Sequence, residues 1–298
     1  MKRKIIYLIN PISGTKSKTV LLETIQRKTS EREIDFEILP TVASGDYSFL
    51  EDKITSEGIK EIGICGGDGS VNQVVQSLAH LDLNFGIIPM GSGNGLALTA
   101  GISRKPEKAL EIIFDGIPKR IDAFLVNKQF ACMLAGLGFD ASVAHEFAQQ
   151  SKRGLGTYAS LSTKKFFAAE AYPFTIEANN LSFTTDAFLV SIANSNQFGN
   201  NFTIAPEALL SDGLLDIVIV KKVAKPFLIY NVMKQVLAGH SDKFENSLAS
   251  PVIYFQTPSL RITNTENAPL HIDGEPRESL IDMKIKVLPS YFKLIHAK

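Results

Sequence analysis

The chain has 298 residues, of which 45% are apolar, and its 31 Lys and Arg balance 31 Asp and Glu, leaving no formal net charge. That length exceeds the usual single domain, so two domains are expected. Charge balance excludes a broad electrostatic footprint for nucleic acid, and no apolar run approaches the length of a bilayer span. The basic start MKRKIIYLIN is followed by NPISG where a signal peptide needs its cleavage region, so a cytoplasmic protein is expected. Cys65 and Cys132 each lie in an apolar, strand-like run and read as buried thiols, not as a disulfide or a metal site.

Residues 4–9 (KIIYLI) predict a buried strand that ends at Asn10-Pro11. A helix is expected over 17–28, a strand over 35–41, and a helix over 46–57 with Tyr47, Leu50 and Ile54 at helical spacing. Residues 61–65 predict a third strand, 71–81 a helix, and 84–89 a fourth strand. This order argues for a parallel sheet covered by helices. From Arg120 the pattern changes. Strand-like runs follow at 120–126, 129–136, 173–178, 186–193, 214–220, 252–256, 259–263, 268–273 and 281–288. They are interrupted by helical stretches at 141–150 with 157–170, and at 225–238. The fold expected is therefore α/β plus β. An α/β domain occupies residues 1–122 and a mostly antiparallel β domain residues 123–298, with the last residues free to pack back on the first domain.

Three glycine-rich turns follow apolar strands: Asn10-Pro11-Ile12-Ser13-Gly14, Gly66-Gly67-Asp68-Gly69-Ser70 and Gly91-Ser92-Gly93-Asn94-Gly95. In a parallel sheet all of them fall at strand carboxyl ends, where ligands bind. Glycine lets backbone N–H groups approach phosphate oxygens, and the helix that follows adds positive potential at its start. Ser70-Val71-Asn72-Gln73 matches a capping box, which predicts a helix beginning with Ser70 as its cap. Asp68 beside such a helix start repels phosphate unless Mg²⁺ lies between them or the carboxylate handles a substrate proton. Each turn alone reads as an ordinary βα turn, and no Walker sequence or P-loop lysine is present; the set of three points to a nucleotide site. In His271-Ile272-Asp273-Gly274-Glu275-Pro276, Asp-Gly reads equally as a hairpin turn with solvated acids or as a mount for Glu275 facing phosphate or acceptor. Ser211-Asp212-Gly213-Leu214 reads, on its residues, as a turn into the strand that follows.

NPISG, GGDGS, PMGSGNGLA, GLGFDA, APEALLSDGLLD and IDGEP occur in the order and spacing of the diacylglycerol kinase catalytic family, which the chain resembles over nearly its whole length. That family spans soluble bacterial diacylglycerol kinases, broader lipid kinases, and sphingosine and ceramide kinases. The resemblance implies an N-terminal nucleotide domain like those of NAD kinases and phosphofructokinases, a C-terminal β-sandwich, and an active site in the cleft between them. It implies that Asn10, Pro11, Ser13, Gly14, Thr41, Gly66, Gly67, Asp68, Gly69, Ser70, Asn72, Gly91 and Ser92 line an ATP site. Asp68 is expected to organise Mg²⁺ through water, and Glu275 to act as general base, a role given to the GGDG aspartate in the sphingosine branch. Leu209, Asp212 and Leu214 resemble a structural Mg²⁺ site built from main-chain oxygens and the aspartate. Gly93-Asn94-Gly95 departs from the common GTxND pattern and is similar to the sphingosine and ceramide kinase branch. The acceptor is therefore open between diacylglycerol and a long-chain base.

The activity expected is ATP- and Mg²⁺-dependent phosphoryl transfer to a lipid at the membrane surface, with no nucleic-acid partner and a homodimer left open. The rivals are an NAD kinase and a non-enzymatic nucleotide or lipid sensor. Residues 145–172 place Lys152, Arg153, Lys164 and Lys165 among Leu155, Tyr158, Phe166, Phe167 and Tyr172. They read either as a helix packed on the β domain or as a peripheral surface for transient contact with anionic lipid.

Overall fold

A computed structural model describes residues 2–11, 13, 18–150, 161, 165, 168–199, 202–222, 248 and 250–298. Gly14, the helix expected at 225–238 and most of 151–167 lie outside the described residues. The chain forms two compact units, Met1–Ile121 with Ser290–Lys298, and Asp122–Pro289.

In the first unit, β1 (Lys4–Ile9), β2 (Asp35–Pro40), β3 (Glu61–Gly66) and β4 (Asn84–Pro89) form a parallel sheet in the order β2-β1-β3-β4. β1, β3 and β4 are buried along almost their whole length, which is why they read as continuous apolar runs. The helices are α1 (Lys18–Glu31), α2 (Glu51–Ser56), α3 (Asp68–Leu78), α4 (Gly95–Thr99) and α5 (Pro106–Asp115). They bury apolar faces such as Val71, Val74, Val75 and Leu78 of α3. Sequence reading passed over α5, although Pro106 opens it and Ala109, Leu110, Ile113 and Phe114 are buried along one side.

The second unit is built mainly of antiparallel strands. Its strands are β5 (Ile117–Val126), which enters from the first unit, β6 (Gln129–Ala131), β7 (Leu134–Gly138), β8 (Tyr172–Ala178) and β9 (Leu181–Ala193), followed by β10 (Gln197–Gly199), β11 (Phe202–Thr203), β12 (Leu215–Lys221), β13 (Val252–Thr257) and β14 (Ser259–Thr263), and then β15 (Leu270–Ile272), β16 (Glu275–Arg277) and β17 (Asp282–His296). Helix α6 (Phe139–Ala148) belongs to this unit, and residues 161, 165 and 168 are helical as well. β9 pairs along its first half with β8 and along its second half with β7 and β12, all antiparallel. Ala135, Leu137, Val190, Ile192, Ile217 and Ile219 point from these strands into one apolar core. The single strand expected at 129–136 is broken in two at Cys132-Met133, because both backbone amides turn to the carboxylate of Asp273. β17 runs eight residues past the expected end at 288; its last part returns to the first unit, where Lys293 and Leu294 pair in parallel with Asn84 and Phe85 of β4.

Candidate active site

The order β2-β1-β3-β4 sets the carboxyl ends of β1, β3 and β4 side by side, and the three glycine turns leave from them. Backbone bonds tie each turn to the next: Asn10 N–H donates to Cys65 O (2.9 Å), Met90 N–H to Gly66 O (2.8 Å), and Thr41 N–H to Ile9 O (2.9 Å). The second and third turns meet backbone to backbone. A Cβ on Gly67 would lie 3.0 Å from Gly91 Cα, and one on Gly91 would lie 2.6 Å from Gly67 Cα. A side chain at 91 would force the two backbones apart, and one at 67 would press tightly on Gly91.

The capping-box expectation is corrected here. α3 begins at Asp68, with Gly67 in extended conformation as its N-cap and no side-chain capping bond. Ser70 is therefore inside the first turn; its buried hydroxyl accepts from Asn10 Nδ2 at 2.9 Å and links the first turn to the second. Asn72 is likewise buried.

Asp68 has a setting the sequence did not disclose. Its Oδ2 accepts from Gly95 N–H (3.1 Å) and its Oδ1 from Leu96 N–H (3.3 Å), the first amides of α4. The carboxylate also stands in the first turn of α3, where the helix dipole favours negative charge. Peptide amides therefore account for an acid at this position before any metal is considered. Asn94, with φ at +58°, closes the third turn: its Oδ1 accepts from Gly91 N–H (2.8 Å) and its Nδ2 donates to Gly91 O (2.7 Å).

Two cations reach the turns although no P-loop lysine exists. Lys18 Nζ donates to Asn10 O at 2.6 Å and to Ser13 O, and burial lowers its pKa. Arg104 Nη2 donates to Gly93 O at 3.0 Å. Both were missed because each lies outside its glycine motif, by four residues after Gly14 and nine after Gly95.

In the second unit, Glu275 is exposed at the start of β16, directly after a two-residue turn with Asp273 and Gly274 at φ +49° and +80°. The Asp-Gly hairpin is present, but its acid is not solvated. Asp273 is buried and accepts from the amides of Cys132, Met133 and Leu134, each at 2.9 Å. Behind the turn, His271 and Asp140 are both buried, with His271 Nε2 3.2 Å from Asp140 Oδ2. Leu209, Asp212 and Leu214 share one stretch before β12, in which Leu209 and Asp212 are exposed and Leu214 is half-buried; Asp212 Oδ1 accepts from Leu214 N–H (3.0 Å), and buried Asp122 fixes the turn by accepting from Gly213 N–H (2.7 Å). Just inside β12, burial pushes the Asp216 carboxyl up to about 6, against hydrogen bonds from Tyr254 and Gln256.

Residues 4–126 match the family model for the diacylglycerol kinase catalytic domain, and residues 134–296 that for the YegS C-terminal NAD kinase beta sandwich-like domain. A protein of Chromohalobacter salexigens named probable lipid kinase YegS-like is 30% identical over 79% of this chain and 76% of its own length. The chain is a member of the diacylglycerol kinase/YegS lipid kinase family. The diacylglycerol kinase of Bacillus subtilis is 28% identical to this kinase over 92% of the chain and 90% of that protein. A crystal structure of a diacylglycerol kinase from Bacillus anthracis shares the fold, with a TM-score of 0.74 at 22% identity over 99% of this chain and 97% of that one. The kinase thus carries its three glycine turns, Asp68, Lys18 and Arg104 in its first unit, and Glu275 and the Asp212 turn in its second. Among the described residues no helix is long and apolar enough to cross a membrane, and no three His, Cys, Asp or Glu side chains converge as metal ligands.

Proposed function

We propose that this kinase transfers the γ-phosphoryl group of ATP to the hydroxyl of a membrane lipid, either a diacylglycerol or a sphingoid long-chain base. The observation that carries the proposal is the contact of the GGDGS and GSGNG turns through Gly67 and Gly91, in a chain of the lipid kinase family. That contact leaves peptide N–H groups, not side chains, as the surface a polyphosphate meets. Transfer through a loose, in-line transition state asks mainly for positioning and charge neutralisation. The start of α3 and the ammonium of Lys18 provide both at the first two turns, and Arg104 adds charge at the third.

The oxygen donors present suit Mg²⁺, a hard cation that takes few protein ligands and keeps waters. Asp68 would hold it through water at the ATP site; Asp212 with the main-chain oxygens of Leu209 and Leu214 would hold a structural ion. When bound, Mg²⁺ neutralises phosphate charge. The chain's own proton step falls to Glu275: its carboxylate takes the acceptor hydroxyl proton as the new O–P bond forms and the bond from phosphorus to the ADP oxygen breaks. Asp68 is already engaged by two α4 amides, whereas the Glu275 carboxylate is exposed, so the proton step is assigned to Glu275.

The lipid is reached by peripheral contact with an anionic surface. Lys165, from the cationic segment, is paired with Glu146 at 2.8 Å. Incubation of the pure protein with labelled ATP and extracted lipids, followed by mass spectrometry, tests the assignment. The expected product is a phosphatidic acid or a phosphorylated long-chain base. Labelled NADP from added NAD, or no labelled lipid at all, would overturn it.

A further inference from the structure

We propose that His271 is a positioning residue which, held by Asp140, fixes the peptide between Asp273 and Gly274 and so the direction in which Glu275 is presented. The inference rests on the reading of Glu275 as the general base.

Two buried side chains anchor the turn, and they hold different parts of it. Asp273 pins the turn to β7 through three backbone amides, and its own N–H donates to Leu134 O at 2.8 Å. None of those bonds orients the next peptide. That task falls to His271, whose Nδ1 receives the Gly274 N–H at 3.3 Å. A peptide N–H can only donate, so Nδ1 is an acceptor and the ring proton sits on Nε2. Nε2 in turn points at Asp140 Oδ2, 3.2 Å away. The path therefore runs from the Asp140 carboxylate through a neutral imidazole to the Asp273–Gly274 peptide, one peptide ahead of the one that leads into Glu275.

The surroundings are shaped for this pair. His271 lies opposite Gly136 in the β15–β7 register, and a Cβ on Gly136 would stand 2.0 Å from Asp140 Oδ2 and 2.6 Å from His271 Nε2. Asp140 sits in the first turn of α6, and His145 near the end of that helix bonds Leu270 O at 2.8 Å, so α6 grips β15 at both ends. A buried polar pair is poor evidence for stability, because apolar residues of similar volume commonly serve as well. A role in fixing one orientation explains what burial energy does not. Gly274, at φ +80°, has nothing within 4 Å of where a Cβ would stand, so the His271 bond adds a side-chain tether to a turn otherwise closed by the Ile272–Glu275 strand pair.

Two near-isosteric replacements separate positioning from stability. His271→Asn keeps an acceptor near the Nδ1 position and leaves Asp140 without its partner. His271→Gln keeps a donor toward Asp140 and removes the acceptor for Gly274. The assay is phosphorylation of detergent-dispersed dioctanoylglycerol, and of sphingosine in parallel, with thermal melting of each variant. The expected result is an inverted ranking: Asn melts lower yet keeps most of kcat, whereas Gln melts near wild type and loses on the order of tenfold or more in kcat with KM for ATP unchanged. The His271→Gln/Glu275→Gln double variant should be no slower than Glu275→Gln alone, as for two residues acting through one group. Wild-type kcat in His271→Gln while Glu275→Gln is inactive overturns the positioning role alone. Full activity in Glu275→Gln overturns the base assignment and this inference with it. If His271→Asn does not fold, the Gln variant and the double variant still decide.

Discussion

At the residue scale, the two acids singled out in sequence differ in what holds them. Asp68 accepts two amides of α4, whereas Glu275 is exposed on a short strand. Asp68→Asn keeps one carbonyl oxygen and turns an NH₂ group toward an N–H donor. A hydrogen bond to a charged group is worth about 1.5–3 kcal/mol. The variant should therefore lose roughly tenfold or more in ATP affinity, measured by calorimetry, together with turnover. Glu275→Gln should bind ATP normally and lose on the order of 10²–10⁴-fold in kcat. Equal effects on ATP binding in the two variants would sink the division of roles. A third residue sets an acid limit on the fold. Burial, with Lys119 adding like charge, holds the His296 imidazole below its ordinary 6.5, and its buried Nε2 has no hydrogen-bond partner among the described residues. The unfolded chain takes up that proton first, so the contribution is present above the ordinary imidazole pKa and is lost as pH falls through and below it. His296→Leu should flatten the change in melting temperature between about pH 7.5 and about pH 5.5; an unchanged slope would assign the acid sensitivity to other groups.

At the element scale, what was legible in sequence was what local pattern determines. β1, β3 and β4 announced themselves as apolar runs stopped by glycine or Asn-Pro, and their endings match within a residue. The start of α3 was misplaced because Ser70-x-x-Gln73 imitates a cap; the hydroxyl is instead taken by Asn10, sixty residues away in the chain. The break between β6 and β7 was illegible for the same reason, since its cause, Asp273, lies some 140 residues on. Long-range partners override short-range propensity in each case. The glycine turns show the converse. Their composition was plain, but the meeting of Gly67 with Gly91 required the sheet order. Gly91→Ala would place a methyl 2.6 Å from Gly67 Cα and 2.9 Å from Asn94 Oδ1, so it should abolish ATP binding in a folded protein. Gly101→Ala provides the contrast. It has φ +71° and nothing within 4 Å of its Cβ, so only left-handed strain of about 1–2 kcal/mol is expected, with ATP binding intact. ATP titrations of both variants beside their melting curves check the pair, and a Gly91→Ala protein that binds ATP normally would remove the turn contact from the site.

At the scale of the whole molecule, each unit has its own core, yet the first is not continuous in sequence. Its sheet is completed by the end of β17, where Phe292, Leu294 and Ile295 are all but fully buried and the Phe292 ring meets Phe85 edge-on at 6.0 Å. Lys293 adds a 2.7 Å ion pair with Asp82, exposed enough to contribute little. Residues 281–288 read as a strand because of their alternation, but YFKLIH beyond them gave no sign of which sheet it joins. Fully burying an Ile, Leu or Phe side chain stabilises by about 1.5–3 kcal/mol, so the three together supply roughly 5–9 kcal/mol. That is comparable to the entire stability of a typical domain, about 5–15 kcal/mol. A fragment ending at Ile121 should therefore fail to unfold cooperatively and should expose Phe85 along an unpaired β4 edge. Fusing residues 290–298 to that fragment through a flexible linker should restore a sigmoidal urea transition, and with it ATP binding by the glycine turns. If the fragment without the tail melts as sharply as the fused one, the tail is an accessory, and the two units are separable at Ile121 after all.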